Sequence, residues 1–270
     1  MPRFLCITCG TQYPDSPSPP ASCPVCEDER QYVPADGQSW TEMAALGRDH
    51  AIVWEEEAEG LFSLRIRPHF GIGQRAFLIR HPKGNMLWDC LSLIDRATVE
   101  RINGLGGLAD IAISHPHYYS SMLEWSDAFG GIPIHIHADD AQWVQRGGAV
   151  VDFWTGERLS LGAATMIRCG GHFEGASVLH CPWLAGGRGA LLSGDTIQVV
   201  PDRLHVSFMY SYPNLIPLGA AEIGRIMDAV RPIAFDAVYG AFEGRTIARD
   251  GKAAVERSAE RYLRAIGAGV

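Results

Sequence analysis

The strongest constraint on this chain lies near its start, where Cys6-Ile-Thr-Cys9-Gly and Cys23-Pro-Val-Cys26 form two C-x2-C pairs separated by 13 residues. Each pair makes a tight turn that points two sulfurs the same way, and two such turns complete a tetrahedron around one ion. Gly10 can supply the positive φ that such a turn often needs after its second cysteine. A segment of about 35 residues cannot bury enough surface to fold alone, so a bound metal would provide its folding energy. Two disulfides or free thiols are the alternatives. The odd total of seven cysteines and the clustering of four of them favour metal. A closed four-thiolate site leaves no position for substrate, so catalysis is expected elsewhere.

The remaining sequence divides unevenly. A polar stretch, ADGQSW, reads as a linker into a short helix, TEMAAL, with Ser39 or Thr41 as its cap and Trp40 as a docking contact against the larger domain. The expected organisation is a four-cysteine metal domain over residues 1–35, a linker with a short helix over 36–50, and one larger domain over 51–270. In that larger part LFSLRIRP, AFLIR, NMLWDC, ADIAIS, IPIHIH, ATMIRC, SVLHC, GALLSGD and DAVYGAF read as strands. DRATVERINGL, YYSSMLEWSDAFGG, PLGAAEIGRIMDAV and GKAAVERSAERYLRAIG read as helices. Hairpins come first, and strands then alternate with helices, which is a mixed α/β (α+β) pattern.

The net charge of −8, without a long Lys/Arg cluster, argues against nucleic acid or an anionic membrane as the main partner and favours a small-molecule substrate. The start MPRFLCITCG lacks the long apolar run of a signal peptide, and no segment approaches the roughly 18–20 apolar residues of a membrane span. A cytoplasmic protein is expected, with homo-oligomerisation left open.

A second set of candidate ligands is dispersed: His115 and His117 in SHPHYYS, His172 in CGGHFEGAS and Asp195 in LLSGDT. Each follows a predicted strand, where a loop can bring it to a sheet edge, and imidazole with carboxylate suits zinc or iron. In order and context these stretches, together with LWDC, resemble the motifs of the metallo-β-lactamase fold superfamily over about residues 51–270, in its glyoxalase II and lactonase-like branches. The resemblance implies a four-layer αβ/βα sandwich with the active site along one edge of two facing sheets. It also implies that His115, His117 and His172 hold a first metal and that Asp195 is the carboxylate shared between two metals. CITCGTQYP…CPVC resembles a zinc ribbon and the knuckles of rubredoxins, with a loop shorter than rubredoxins usually have, which favours structural zinc.

The departures from the superfamily pattern concern the second metal. Tyr119 stands where its aspartate is expected and Ser120 where the adjacent histidine is expected, and the late histidine would fall at Ala241 or Phe242. With only Asp195 remaining, one zinc or iron ion, or none, is expected in this site. The leading expectation is hydrolysis of an ester, thioester, lactone or amide by water activated on that ion, with Asp195 as ligand or water-orienting group. Tyr119 either donates to the developing oxyanion or begins the following helix and packs there. Ser120 reads as a helix cap rather than a nucleophile.

Two further readings stay open. Two histidines and a carboxylate are also the donor set of non-haem iron, as in the persulfide dioxygenases of the superfamily, with an iron-loaded knuckle as electron donor. The other is a non-catalytic binding module with a degenerate site. Tyr210 and Tyr212, in the long connection after Asp195, could line a substrate pocket, and Arg245 could meet a substrate anion. Cys90, Cys169 and Cys181 are read as buried thiols.

Overall fold

The computed structural model describes residues 1–268. The chain forms two compact units, one of Met1–Ile136 with Ala141–Phe153, the other of His137–Asp140 with the residues from Trp154 onward. The first unit opens with strands β1 (Arg3–Cys6), β2 (Gln12–Asp15) and β3 (Trp40–Glu42) in the order β2-β1-β3, with helices α1 (Pro24–Glu27) and α2 (Met43–Asp49). Trp40 lies in β3, whose register against β1 pairs it with Cys6. Its ring meets Tyr13 edge-on at 5.1 Å. The end of the stretch expected to be a linker is therefore part of the cysteine-bearing sheet, and Trp40 packs against the cysteine cluster, as does Trp143. The helix after it starts at Met43, with Glu42 at the N-cap and no side-chain capping bond, so neither Ser39 nor Thr41 has the expected role.

The larger sheet of this unit runs β10-β9-β8-β7-β6-β5-β4, from β4 (Ala51–Ala58), β5 (Leu61–Arg67), β6 (Arg75–Ile79) and β7 (Met86–Trp88) to β8 (Asp110–Ala112), β9 (Ile134–His137) and β10 (Val151–Trp154). β4 to β7 form an antiparallel meander, whereas β8 joins both β7 and β9 in parallel. Helix α3 (Arg96–Gly104) makes the crossover between β7 and β8, and α4 (Met122–Ala128) that between β8 and β9. Parallel pairing needs such crossovers, and the loops at the carboxyl ends of the strands become the natural place for ligands. Asp95 caps α3 by accepting from Thr98 N at 2.7 Å.

The second unit contains β11 (Arg158–Leu161), β12 (Ala164–Arg168), β13 (Ser177–Cys181), β14 (Ala190–Gly194), β15 (Gln198–Val199), β16 (Val206–Ser207), β17 (Met209–Ser211), β18 (Ile216–Pro217), β19 (Ala237–Gly240) and β20 (Thr246–Ile247). Six of these strands form one sheet, β11-β12-β13-β14-β19-β20, in which β14 and β19 run parallel. A short turn, α5 (Leu184–Gly187), joins β13 to β14, and helices α6 (Ala220–Val230) and α7 (Gly251–Ala265) follow. On α6 the buried residues Ile223, Ile226, Met227 and Val230 recur at helical spacing and join Ile167, Leu191, Val238 and Val255 in one core. Ser258 ties α7 to β16, donating to Ala254 O at 2.6 Å and accepting from Val206 N at 3.0 Å.

This packing can be tested in each unit. Ile226 is fully buried, so Ile226→Ala is expected to destabilise the second unit by about 2–5 kcal/mol, read as a lowered denaturation midpoint. In the first unit, His135 lies between Asp110 (3.0 Å) and Asp152 (2.9 Å). Burial disfavours its imidazolium, but the hydrogen bonds and charges of the two carboxylates outweigh that effect and raise its pKa. A raised folded-state pKa adds stability that is fully present below about pH 6.5 and fades as pH climbs through the folded value. The wild type should therefore gain stability on going from pH 8.5 to 6, and His135→Asn should lose that part of the slope in thermal melts at each pH.

Candidate metal centres

The four N-terminal cysteines are brought together as their spacing predicts. Cys6 Sγ and Cys26 Sγ are 3.6 Å apart and Cys9 Sγ and Cys23 Sγ 3.5 Å apart, all buried. A disulfide would need about 2.05 Å, whereas a tetrahedron with metal–sulfur bonds of about 2.3 Å has edges of about 3.8 Å, so this donor set fits one ion. Gly10 closes the first turn at φ +85°, its N–H donating to Cys6 O at 2.8 Å. Gln38 fixes the second turn, accepting from Cys23 N at 2.6 Å and donating to Cys23 O at 3.3 Å. Hydrogen bonds among the sulfurs push the Cys6 thiol pKa down and that of Cys9 up, the conflict that a shared cation resolves. Cys90, Cys169 and Cys181 are buried thiols as expected, and burial holds Cys169 up at about 12.

In the first unit His115 and His117 leave the carboxyl end of β8. His115 is still extended, at φ −169° and ψ 172°, and the chain then coils into a single 3-10 turn over Pro116–Tyr118. The two imidazoles meet edge-on with centroids 5.1 Å apart, and Tyr118 packs against His115 at 5.2 Å. Ser114 Oγ lies 2.8 Å from His115 Nδ1, so Nε2 is the candidate ligating nitrogen. Behind it is Asp89, buried at φ +65°, whose Oδ1 accepts from Ser114 N at 2.7 Å. Gln74 Nε2 donates to His117 O at 3.4 Å. In the sequence Asp89 stands out only as part of the LWDC stretch. Its link to Ser114 spans 25 residues, and no local signal announces it.

Tyr119 and Ser120 follow directly. Tyr119 is buried and helical in backbone, its N–H donating to Pro116 O at 3.2 Å and its carbonyl accepting from Met122 N at 2.9 Å. Ser120 adopts φ +38°, and the N-cap of α4 is Ser121. The capping role expected of Ser120 is therefore absent, because a left-handed residue before the helix cannot present its hydroxyl to the first turn. Ser121 makes no capping bond either, and its Oγ donates to Ser92 O at 2.7 Å.

In the second unit His172 follows β12 through Gly170 and Gly171, at φ +68° and +86°. A Cβ on Gly171 would come within 3.1 Å of Ile226 and Leu218, so this turn needs glycine for space as well as conformation. His172 Nδ1 lies 3.2 Å from Met209 O, which fixes Nδ1 as the protonated nitrogen and Nε2 as the basic one. Asp195 follows β14 and is buried. Tyr212 serves both residues. Its hydroxyl donates to Asp195 O at 2.9 Å and its ring lies 5.9 Å from that of His172. Burial, and then the Asp195 charge, raise its phenol pKa. Tyr212, expected as a substrate contact, thus has its hydroxyl on the Asp195 backbone. Tyr210 is half-buried and lines a cavity of about 350 Å³ with Arg168, Glu222 and Arg225. Arg245 sits in the tight turn from β19 to β20, its N–H donating to Phe242 O at 3.1 Å and its carbonyl accepting from Gly240 N at 2.9 Å. No helix among the described residues is long and apolar enough to cross a membrane.

No family model matches the chain. Solved structures share its fold: the DIM-1 metallo-β-lactamase, 13% identical, with a TM-score of 0.58 over 79% of this chain and 98% of that one, and TMB-1, 13% identical, with a TM-score of 0.58 over 80% and 99%. A Cronobacter sakazakii metallo-β-lactamase is 16% identical, with a TM-score of 0.51 over 81% of this chain and 93% of that one. The chain therefore has the metallo-β-lactamase fold, as the sequence motifs predict, with a four-cysteine cluster at its start. In sequence it is 47% identical to the uncharacterized protein YmaE of Bacillus subtilis (strain 168) over 272 residues, 98% of this chain and 97% of that one. The chain belongs to the family of YmaE.

Proposed function

We propose that the protein is a metal-dependent hydrolase in which His115, His117 and His172 hold a single catalytic ion, with Asp195 beside it as a further ligand or as the group that orients water. The observation that carries this reading is the donor set itself: His115 and His117, buried after β8 in the first unit, and His172 and Asp195, buried after β12 and β14 in the second. Three imidazoles and a carboxylate suit zinc or iron, and such a cluster, buried without a cation, would be strongly unfavourable. The metallo-β-lactamase fold of the solved structures supports the same reading. The thiolate cluster is proposed to hold a second, structural ion, zinc by the shortness of its loop.

A divalent cation bound by the histidines supplies Lewis acidity and brings the pKa of water to about 7. The protein's own part is to fix tautomers and place charge. Met209 O and Ser114 Oγ orient His172 and His115 so that Nε2 carries the lone pair. Asp195 accepts a proton from, or orients, the attacking water. Tyr119 stands where the superfamily has a second-metal ligand, and its phenol donates to the oxyanion that a second cation would otherwise stabilise. Tyr210, Tyr212 and Arg245 remain proposed substrate contacts, and an ester, thioester, lactone or amide of a small molecule is the proposed substrate class.

Elemental analysis, with iron measured beside zinc, tests the metal assignment. Purified protein should carry two equivalents, and His117→Ala should carry one while keeping a folded circular-dichroism spectrum. A His117→Ala protein that kept both ions would overturn the assignment. On a panel of esters, thioesters and lactones, Tyr119→Phe should lower kcat by about 100- to 1,000-fold with little change in KM. An unchanged kcat would leave Tyr119 a packing residue only. Cys6→Ser should release the structural ion and lower the melting temperature.

A further inference from the structure

Resting on the proposal that His115 and His117 bind a metal, we infer that the four-cysteine knuckle braces their loop where a second active-site ion would otherwise hold it, with Ser92 and Gln12 as the positioning residues. The contacts all lie within the first unit. Gln12, the residue after Thr11 in the first cysteine turn, donates its backbone N–H to Ser120 O at 3.1 Å. Ser120 occupies the position of a second-metal histidine in the superfamily pattern, and its left-handed backbone, at φ +38°, turns its carbonyl to the knuckle.

A second tie runs through Ser92, which is buried. Its Oγ donates to Gly10 O at 2.8 Å, and its own carbonyl accepts from Ser121 Oγ at 2.7 Å. The approach is close: a Cβ on Gly10 would lie 2.2 Å from Ser92 Oγ. The knuckle glycine thus meets two needs, its positive φ and the seat of Ser92. A third tie passes through the loop after β5. A Cβ on Gly71 would come within 3.5 Å of the Cys9 carbonyl, and Gln74 of the same loop reaches His117 O.

Three routes therefore connect the backbone around Cys9 and Gly10 to the segment 117–121, and no ligand of either proposed ion is shared. In a two-metal site, the aspartate and histidine at positions 119 and 120 would anchor this segment to an ion. Here hydrogen bonds to an ion-ordered knuckle do so. If the knuckle is ordered only when loaded, its metal and the ion at the histidines are coupled, and linkage requires the coupling to be equal in both directions.

Cobalt(II) titration of the intact metal-free chain reads both sites at once, because four-thiolate cobalt has an intense near-ultraviolet charge-transfer band that a histidine–carboxylate site lacks. Chelator competition then gives the affinity of each site. Ser92→Ala keeps every proposed ligand. It is expected to retain the thiolate band and the melting temperature while the histidine site weakens by about 10- to 100-fold, the usual effect of losing an outer contact to a metal site. Cys6→Ser/Cys9→Ser, with its fold checked by circular dichroism, should weaken it at least as much. In the wild type, filling the histidine site should tighten the thiolate site by the same factor, a gain that Ser92→Ala removes. Wild-type affinity at the histidine site in Ser92→Ala overturns the inference, and should the double cysteine variant unfold, the Ser92→Ala arm decides alone. A wild-type protein that binds one equivalent, all of it in the thiolate band, removes the hydrolase proposal as well as the brace.

Discussion

The buried carboxylate of Asp89 is the constraint on which the first half of the site depends. A charge removed from water must be met by hydrogen-bond donors, and Asp89 Oδ1 meets the N–H of Ser114, the residue immediately before His115. The left-handed backbone of Asp89 is maintained by its own N–H, which donates to Ala112 O at 2.8 Å. The end of β7 and the end of β8 are thereby locked together. From that lock the order of the site propagates outward: Ser114 orients His115, the 3-10 turn brings His117 alongside, and the knuckle receives Ser120.

The second unit reaches a comparable result by different means. Instead of a buried acid it uses a pair of glycines before His172, a backbone carbonyl on the ring nitrogen, and a tyrosine that joins His172 to Asp195. Both solutions hold an imidazole through Nδ1, the way in which an outer partner sets the tautomer and direction of a candidate ligand.

Much of this was legible in the sequence. The strands and helices with clear periodicity stand close to where the pattern puts them, because α6 and β14 are each set by their own apolar residues. The four cysteines and the dispersed histidines could be read because ligand chemistry restricts residue type and spacing so narrowly. Strands β10 and β11 were not legible. VDFW lacks a full alternation, and RLSL alternates over only four residues between Gly156 and Gly162, so their pairing comes from neighbours in the sheet. Trp40 was misread because a three-residue strand has no period of its own, and its pairing with Cys6 lies 34 positions away in sequence. The contacts of Asp89, Ser92 and Gln12 were invisible for the same reason, since each joins segments that only the fold brings together.

The backbone of Ser120 also bears on how a second ion could be held. A lone substitution to histidine at this position would not recreate a second-metal ligand. The new side chain would start from a left-handed residue in a buried place, next to a carbonyl already engaged by Gln12. Under the one-ion proposal, a second ion at this position would compete with the backbone bond from Gln12 to Ser120, so ligand chemistry here would have to be regained by moving the loop and not by a side chain alone.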